Sequence, residues 1–305
     1  MSSSSPGSSG IACSLAASVL FAANYYVATW LSPLGGLGIY GWRVLLTVPL
    51  VGLFIVASGR QRDITQVWQR TRQYPWLWAA LLLSSALLGV QLWLFLWAPI
   101  NGHALAVSLG YFLLPLTLVL TGRWVFGERI SRWQSLACLV ALLGVANEVI
   151  LTQHLAWPTL VVALGCPCYF ALRRKLRTNH LGGMWFDMVL SLPVALVFIH
   201  LSWPDLTHAQ APGQTALAIA AIALLSALAL VLLVMASDRL PMPLFGLLGY
   251  VEPALLVVVA VLIGERIAAN QWPTYLAIWA AVALLAAEGW QQWRRSQRQR
   301  LASSP

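Results

Sequence analysis

One carboxylate interrupts the apolar run GYVEPALLVVVAVL, where Glu252 follows Tyr250 by two residues and directly precedes Pro253. An ionised acid at mid-membrane depth costs about 3 kcal/mol or more unless it faces a wet cavity or a partner. Glu252 is therefore the candidate for holding a substrate ammonium or for exchanging a coupling proton. Two further charges, Arg43 in GWRVLL and Glu148 in ANEVI, fall near the same expected membrane face and are read as a structural ion pair. The rest of a candidate substrate cavity would come from Asn24, Tyr25, Gln91, Trp93, Trp97, Tyr111, Tyr169 and Tyr250. Small-molecule sites are mainly apolar with a few convergent polar groups, and this set has that chemistry. Asp187 and Glu288 read as solvated groups near the cytoplasmic surface, and His103 as a cap for the helix that follows it.

Other chemistries find no support in the residue pattern. Cys13, Cys138, Cys166 and Cys168 lie in apolar segments, and Cys166-Pro167-Cys168 has no second Cys pair or nearby His, so no metal site is expected. No Walker loop, Ser-His-Asp order, zinc-protease motif or dinucleotide fingerprint occurs at usable spacing, so no cofactor and no ATP hydrolysis are expected.

The elements that must position these groups follow from composition. The chain has 305 residues, 60% of them apolar and only 9% charged, against about 25% charged in soluble domains. With a mean hydropathy of +0.77 it is an integral membrane protein. Its net charge of +9 sits in short clusters between apolar runs, which suits anionic lipid and not nucleic acid. Ten stretches approach the roughly 20 apolar residues that a spanning helix needs: 11–31, 37–58, 75–98, 104–126, 133–151, 157–172, 183–203, 215–236, 243–263 and 273–290. None shows the two-residue alternation of a barrel, so the class is all-α. With the amino terminus inside, 16 of 18 Lys and Arg residues fall on inner loops, the exceptions being Arg43 and Arg266; both termini are then cytoplasmic. Tryptophans such as Trp68, Trp133, Trp157 and Trp272 mark helix ends as an interfacial belt, and the longest solvated loop spans about 59–74.

A phrase is written twice. GYFLLPLTLVLTGRWVFGER (110–129) returns as GYVEPALLVVVAVLIGER (249–266). Five stretches precede the link at 153–156 and five follow it, so the copies run in opposite directions, as in inverted repeats. The expected organisation is a flexible tail (1–10), two five-helix repeats (11–152 and 153–290) and a basic cytoplasmic tail (291–305). Pro115 and Pro253 each remove a backbone hydrogen bond where a helix would bend. Tyr111 and Tyr250 occupy matching positions and are the favoured cavity residues.

The stretch LWAPINGHALAVSLGYFLLPLTLVLTGRWVFGERISRWQSLA (96–137), with GWRVLL (41–46), YFALRRKL (169–176), GGMWFDMVLSLPVAL (182–196) and LFGLLGYVEP (244–253), resembles the RarD family of EamA-type permeases in the drug/metabolite transporter superfamily. The resemblance implies ten helices as two inverted five-helix repeats, a central cavity, and export of small metabolites or drugs, with chloramphenicol-like compounds or amino acids among the possible substrates. Three departures stand out: Phe21-Ala22, Tyr25 and Thr29 replace a family Trp-Gly, Pro and Lys; Ala106 replaces a frequent acid; and Glu252 stands where relatives often have Gly. The expectation is an inner-membrane exporter working by alternating access, with a small-molecule substrate, protons and membrane lipid as partners. Two alternatives stay open: a passive pore or sensory receptor, and an intramembrane enzyme using Glu252, Asp187 and His103.

Overall fold

The computed structural model describes residues 6–152, 156–207, 212–240, 244–245 and 248–302, and every element among them is helical. Lipid offers the backbone no hydrogen-bond partner, so long apolar runs close their bonds within the segment. The first half contains α1 (Pro6–Val27), a 3-10 turn (Ala28–Leu34), α2 (Gly35–Ala57), α3 (Gln61–Gln73), α4 (Trp76–Ile100), α5 (Ala104–Phe126) and α6 (Arg132–Thr152). The second contains α7 (Trp157–Leu176), α8 (Leu181–Leu190), α9 (Leu192–Leu201), the short α10 (Trp203–Thr207), α11 (Pro212–Arg239), α12 (Val251–Leu262) and α13 (Trp272–Ala302). Among the described residues, six segments are long and apolar enough to cross a membrane, or seven if α8 and α9, bent by 45°, count as one.

Several boundaries differ from expectation. α1 starts at Pro6, inside the stretch expected to be a flexible tail, and α13 carries the basic end onward to Ala302. The expected loop at 59–74 is largely the helix α3, whose Val67 and Thr71 are buried while its Gln residues, Arg62 and Arg72 are exposed. Val67 joins Leu77, Leu81, Leu176 and Phe186 in a cluster that fixes α3 to α4 and α8. Overall polarity hid this helix, because only one narrow stripe of it is apolar. The link at 153–155, part of the 211–214 break and the start of the ninth stretch at 243 lie outside the described residues.

The glycine of each Gly-Glu-Arg copy has a structural reason. Gly127 ends α5 with φ +68° and Gly264 follows α12 with φ +97°, a left-handed backbone that favours glycine. Around the core, α1 packs on α11, α5 on α7, α6 on α13, and α2 on both α9 and α11. α4 meets α7, α8 and α2, while α12 reaches α1 and α5.

The α5–α7 contact is close enough to test. A Cβ on Gly110 would stand 2.7 Å from Val162 Cβ and 2.9 Å from the Thr159 carbonyl, whereas one on Gly213 would meet nothing within 4 Å. Gly110→Ala should destabilise the detergent-solubilised protein by about 1–3 kcal/mol, read as a lower unfolding temperature, while Gly213→Ala leaves it unchanged.

Candidate functional site

Arg43 is the ninth residue of α2, so it lies about 12 Å along the helix, deeper than the outer end expected for it. It is buried, with its guanidinium carbon 5.6 Å from the centre of the Phe95 ring. Nε donates to Ser226 Oγ at 2.8 Å and Nη1 to the Leu92 carbonyl at 3.4 Å. The same Ser226 oxygen accepts from Asn24 Nδ2 at 2.5 Å, and Asn24 also donates to the Ile222 carbonyl at 3.2 Å. Asn24, Arg43 and Ser226 thus join α1, α2 and α11 at their polar positions. The expected Arg43–Glu148 ion pair does not form: Arg43 has these partners, and Glu148 accepts from Gln271 Nε2 at 2.9 Å. Spacing along two helices gave depth but not which helices become neighbours.

Glu252 is the second residue of α12, where the amino-terminal backbone dipoles favour a negative charge. It makes no hydrogen bond to the described residues, and Arg43, Tyr111 and Cys166 lie within its electrostatic reach. Glu252 and Tyr111 are half-buried. Pro253 lies in the first turn of α12, where its missing N–H leaves no hydrogen bond broken, so it starts this helix and does not bend its middle. Pro115 does stand inside α5.

The remaining expected cavity residues divide among several places. Tyr25 is fully buried against Phe95 and donates to the Ala104 carbonyl at 3.2 Å, tying α1 to α5. Gln91 donates to the Val161 carbonyl at 2.9 Å and accepts from Cys166 Sγ at 3.2 Å, tying α4 to α7. Trp93 and Trp97 form an aromatic group with Trp157 and His103, in which Trp97 stacks on His103 at 5.1 Å. Tyr250, at the N-cap of α12, faces a cavity of about 400 Å³ with Phe112 and Trp279. Only Tyr111 of the matched tyrosine pair is within electrostatic reach of Glu252.

Tyr169 belongs to a second polar centre that sequence reasoning did not foresee. Asp187 is buried, not solvated, and its Oδ2 accepts from Ser84 Oγ at 2.9 Å and Tyr169 OH at 3.2 Å. Arg173 Nε stands 3.9 Å from that oxygen, and its Nη1 donates to Tyr169 OH at 2.6 Å. Arg173 also donates to the carbonyls of Thr178 and His180, so α4, α7 and α8 share one network. Glu288 is buried as well. His180 caps α8 by accepting from the Gly183 amide, and burial holds its imidazole below the usual value, which suits that acceptor role. As pH falls through the ordinary histidine range, this contribution to stability is lost.

Glu265 was also missed, though the repeated Gly-Glu-Arg could have signalled it. Its two carboxylate oxygens accept from the Ala104 and Leu105 amides at 2.6 and 2.7 Å, capping α5. His103 occupies the N-cap position, but its side chain makes no capping bond. Glu265, Glu148, Gln271 and Tyr275 line a cavity of about 260 Å³ at this end. His103, Asp187 and Glu252 thus belong to separate neighbourhoods. Among the described residues no group of three His, Cys, Asp or Glu could hold a metal ion. In thermal or denaturant unfolding, Asp187→Asn should cost about 3–5 kcal/mol by leaving Arg173 without its charge partner. Glu265→Gln should cost about 1 kcal/mol, the value of a helix cap.

No protein-family model matches the chain. It is 42% identical to an uncharacterised transporter of Pasteurella multocida over 92% of this chain and 96% of that one. It is 40% identical to the chloramphenicol-sensitive protein RarD of Pseudomonas aeruginosa over 95% of this chain and 96% of that one. A crystal structure that is 18% identical aligns over 93% of this chain and 99% of its own with a TM-score of 0.52, a likeness of fold alone. Identity at this level across nearly the full length, on a bundle of apolar helices, places the chain in the RarD family of membrane transporters.

Proposed function

We propose that the chain is a secondary transporter of a bacterial-type inner membrane. It exports small amphipathic metabolites or drugs, such as chloramphenicol-like compounds or amino acids, by alternating access. Both termini face the cytoplasm, and Glu252 exchanges the coupling proton. The observation that carries this reading is a pair of opposite charges set among the apolar helices, buried Arg43 from the first half and half-buried Glu252 from the second. Charges inside a membrane bundle mark substrate or ion paths by default.

The reading includes ten passes in two inverted five-helix repeats. The segment Ser9–Ala57 has 49 residues, about 70 Å of helix, and turns at a 3-10 segment, which supports two passes. α7 ends in Arg173, Arg174 and Lys175, and α12 has only 12 residues, so composition and length alone undervalue both. Part of the helix-contact pattern supports a twofold exchange of the halves. Exchanging counterparts turns α1–α11 into α7–α4, and α5–α7 into α12–α1; α2–α9, α5–α12 and α6–α13 map onto themselves, and each of these contacts occurs. A discontinuous helix that starts beside the site, as α12 does, is a familiar device in such folds.

The two halves also meet at their ends. On the basic face Arg60 pairs with Asp238 and Arg174 with Glu128, and on the opposite face Glu265 caps α5. The surface pairs are individually weak, about 0–1 kcal/mol each, as contacts that must open in a transport cycle should be. The test is growth of an efflux-deficient bacterial host expressing the natural chain or Glu252→Gln on chloramphenicol-like drugs, cationic antiseptics and toxic amino-acid analogues. Resistance with the natural chain, lost in an equally expressed Glu252→Gln variant, is the expected outcome. In proteoliposomes the same variant should no longer respond to an imposed pH gradient; unchanged pH-driven flux would remove Glu252 from the coupling step.

A further inference from the structure

We propose that the outer face of α3, at its corner with α4, binds the headgroups of anionic phospholipids, with Arg72 and Arg62 holding phosphate and the rings of Trp68, Tyr74 and Trp76 marking the edge of the bilayer. The lipid then fastens α3 to the bundle. The inference goes beyond the transport reading and needs only that the helices sit in a membrane.

α3 docks on the protein through a narrow stripe. Val67 and Thr71 are buried, and Ile64 packs against the cluster of Val51, Ile55 and Leu181. At the edge of the stripe Arg70 donates to the Leu176 carbonyl at 2.7 Å. Asp63, the one acid on this helix, is turned onto α8: its Oδ2 lies 3.9 Å from His180 Nδ1, and a Cβ on Gly182 would stand 2.6 Å from its own. The outward charge of α3 is therefore wholly positive. Arg62 and Arg72 are exposed, and neither side chain has a hydrogen bond or ion pair among the described residues. The acids that could serve them are already engaged. Asp238 pairs with Arg60, Glu128 with Arg174, and Asp187 is buried beside Arg173. Counter-charge for Arg62 and Arg72 must come from outside the chain.

The neighbouring side chains say what carries that charge. Trp68 precedes Arg72 by four residues, so the two share one side of α3. The exposed Trp68 ring meets Trp78, in the first turn of α4, edge-on at 5.9 Å. Tyr74 and Trp76, at the corner itself, are exposed as well. One turn beyond Trp78, Leu82 and Leu83 are also exposed, a surface suited to acyl chains. The rings thus stand where the surface passes from polar to hydrocarbon, the level that Trp and Tyr favour in a bilayer. A phosphate at that level can meet the planar Arg72 guanidinium with two parallel hydrogen bonds, while its acyl chains run along α4. A soluble anion would satisfy the arginines but leave the rings and leucines without a partner. A lipid whose phosphate carries its own ammonium group offers these cations less net charge, so an anionic lipid is the occupant that fits.

The experiment follows amide hydrogen exchange across the full chain in nanodiscs of phosphatidylcholine, with or without phosphatidylglycerol of the same acyl chains. Phosphatidylglycerol should slow exchange in residues 61–73 by about fivefold for each arginine engaged, while α5 stays unchanged as an internal reference. Arg62→Gln with Arg72→Gln should abolish that difference, and continued protection of α5 shows that the variant is folded. Arg129→Gln with Arg132→Gln removes the same charge elsewhere on the surface and should keep the response. Equal exchange of α3 in the two lipids would overturn the site. Loss of the response in both double variants alike would also overturn it, since a diffuse surface charge would then suffice. Glycerol phosphate protecting α3 as well as phosphatidylglycerol does would point to a soluble anion and remove the lipid.

Discussion

A positive charge set among apolar helices governs the centre of this molecule. Arg43 lies in the middle of an apolar bundle, and lipid can neither hydrate it nor accept its hydrogen bonds. The surrounding helices are arranged to meet that need. α11 presents Ser226, α4 presents the Leu92 carbonyl and the Phe95 ring, and Glu252 stands in the first turn of α12. Asn24 completes the set from α1 by sharing the Ser226 oxygen. Helices distant in the chain are thus held together by polar groups that have few alternatives nearby.

The same constraint explains where the other polar groups lie. Asp187 and Arg173 sit together with Ser84 and Tyr169, while Gln91 and Cys166 bridge α4 to α7. Helix ends carry a different solution. Glu265 fills the unpaired amides at the start of α5, His180 does so for α8, and glycines with positive φ close α5 and the segment after α12. Between these points lies close apolar packing, with Gly110 admitting α7 against α5. The interior is therefore strongly specified, whereas the ion pairs between the halves on the basic face are exposed and weak.

Much of this was legible from residue types. Composition identified a helical membrane protein, and Gly-Pro-polar breaks located most helix limits. Glu252 stood out as a candidate because an acid in such an apolar run is expensive to retain. The candidate site was less legible. Tyr25 and Gln91 look like cavity residues, but their polar atoms are engaged in tying helices together. Asp187 resembles a surface acid because it stands near a helix start, and only the approach of α4 and α7 buries it. The helix α3 escaped notice because one apolar stripe on a polar segment has no meaning until α4 and α8 are present to cover it.

What the sequence by itself determined was the solvent of the fold, its all-helical class, the duplicated phrase and the residues too polar to face lipid. These follow from local properties, since hydropathy, chain breaks and motif order need no knowledge of neighbours. Tertiary structure decided which polar groups meet. It separated Arg43 from Glu148 and brought it toward Glu252; it divided Tyr111 from Tyr250 and gave Tyr169 to Asp187. The physical reason is that nearly uniform apolar helices carry little information about their own rotation. Only packing against particular neighbours selects which face of each helix turns inward.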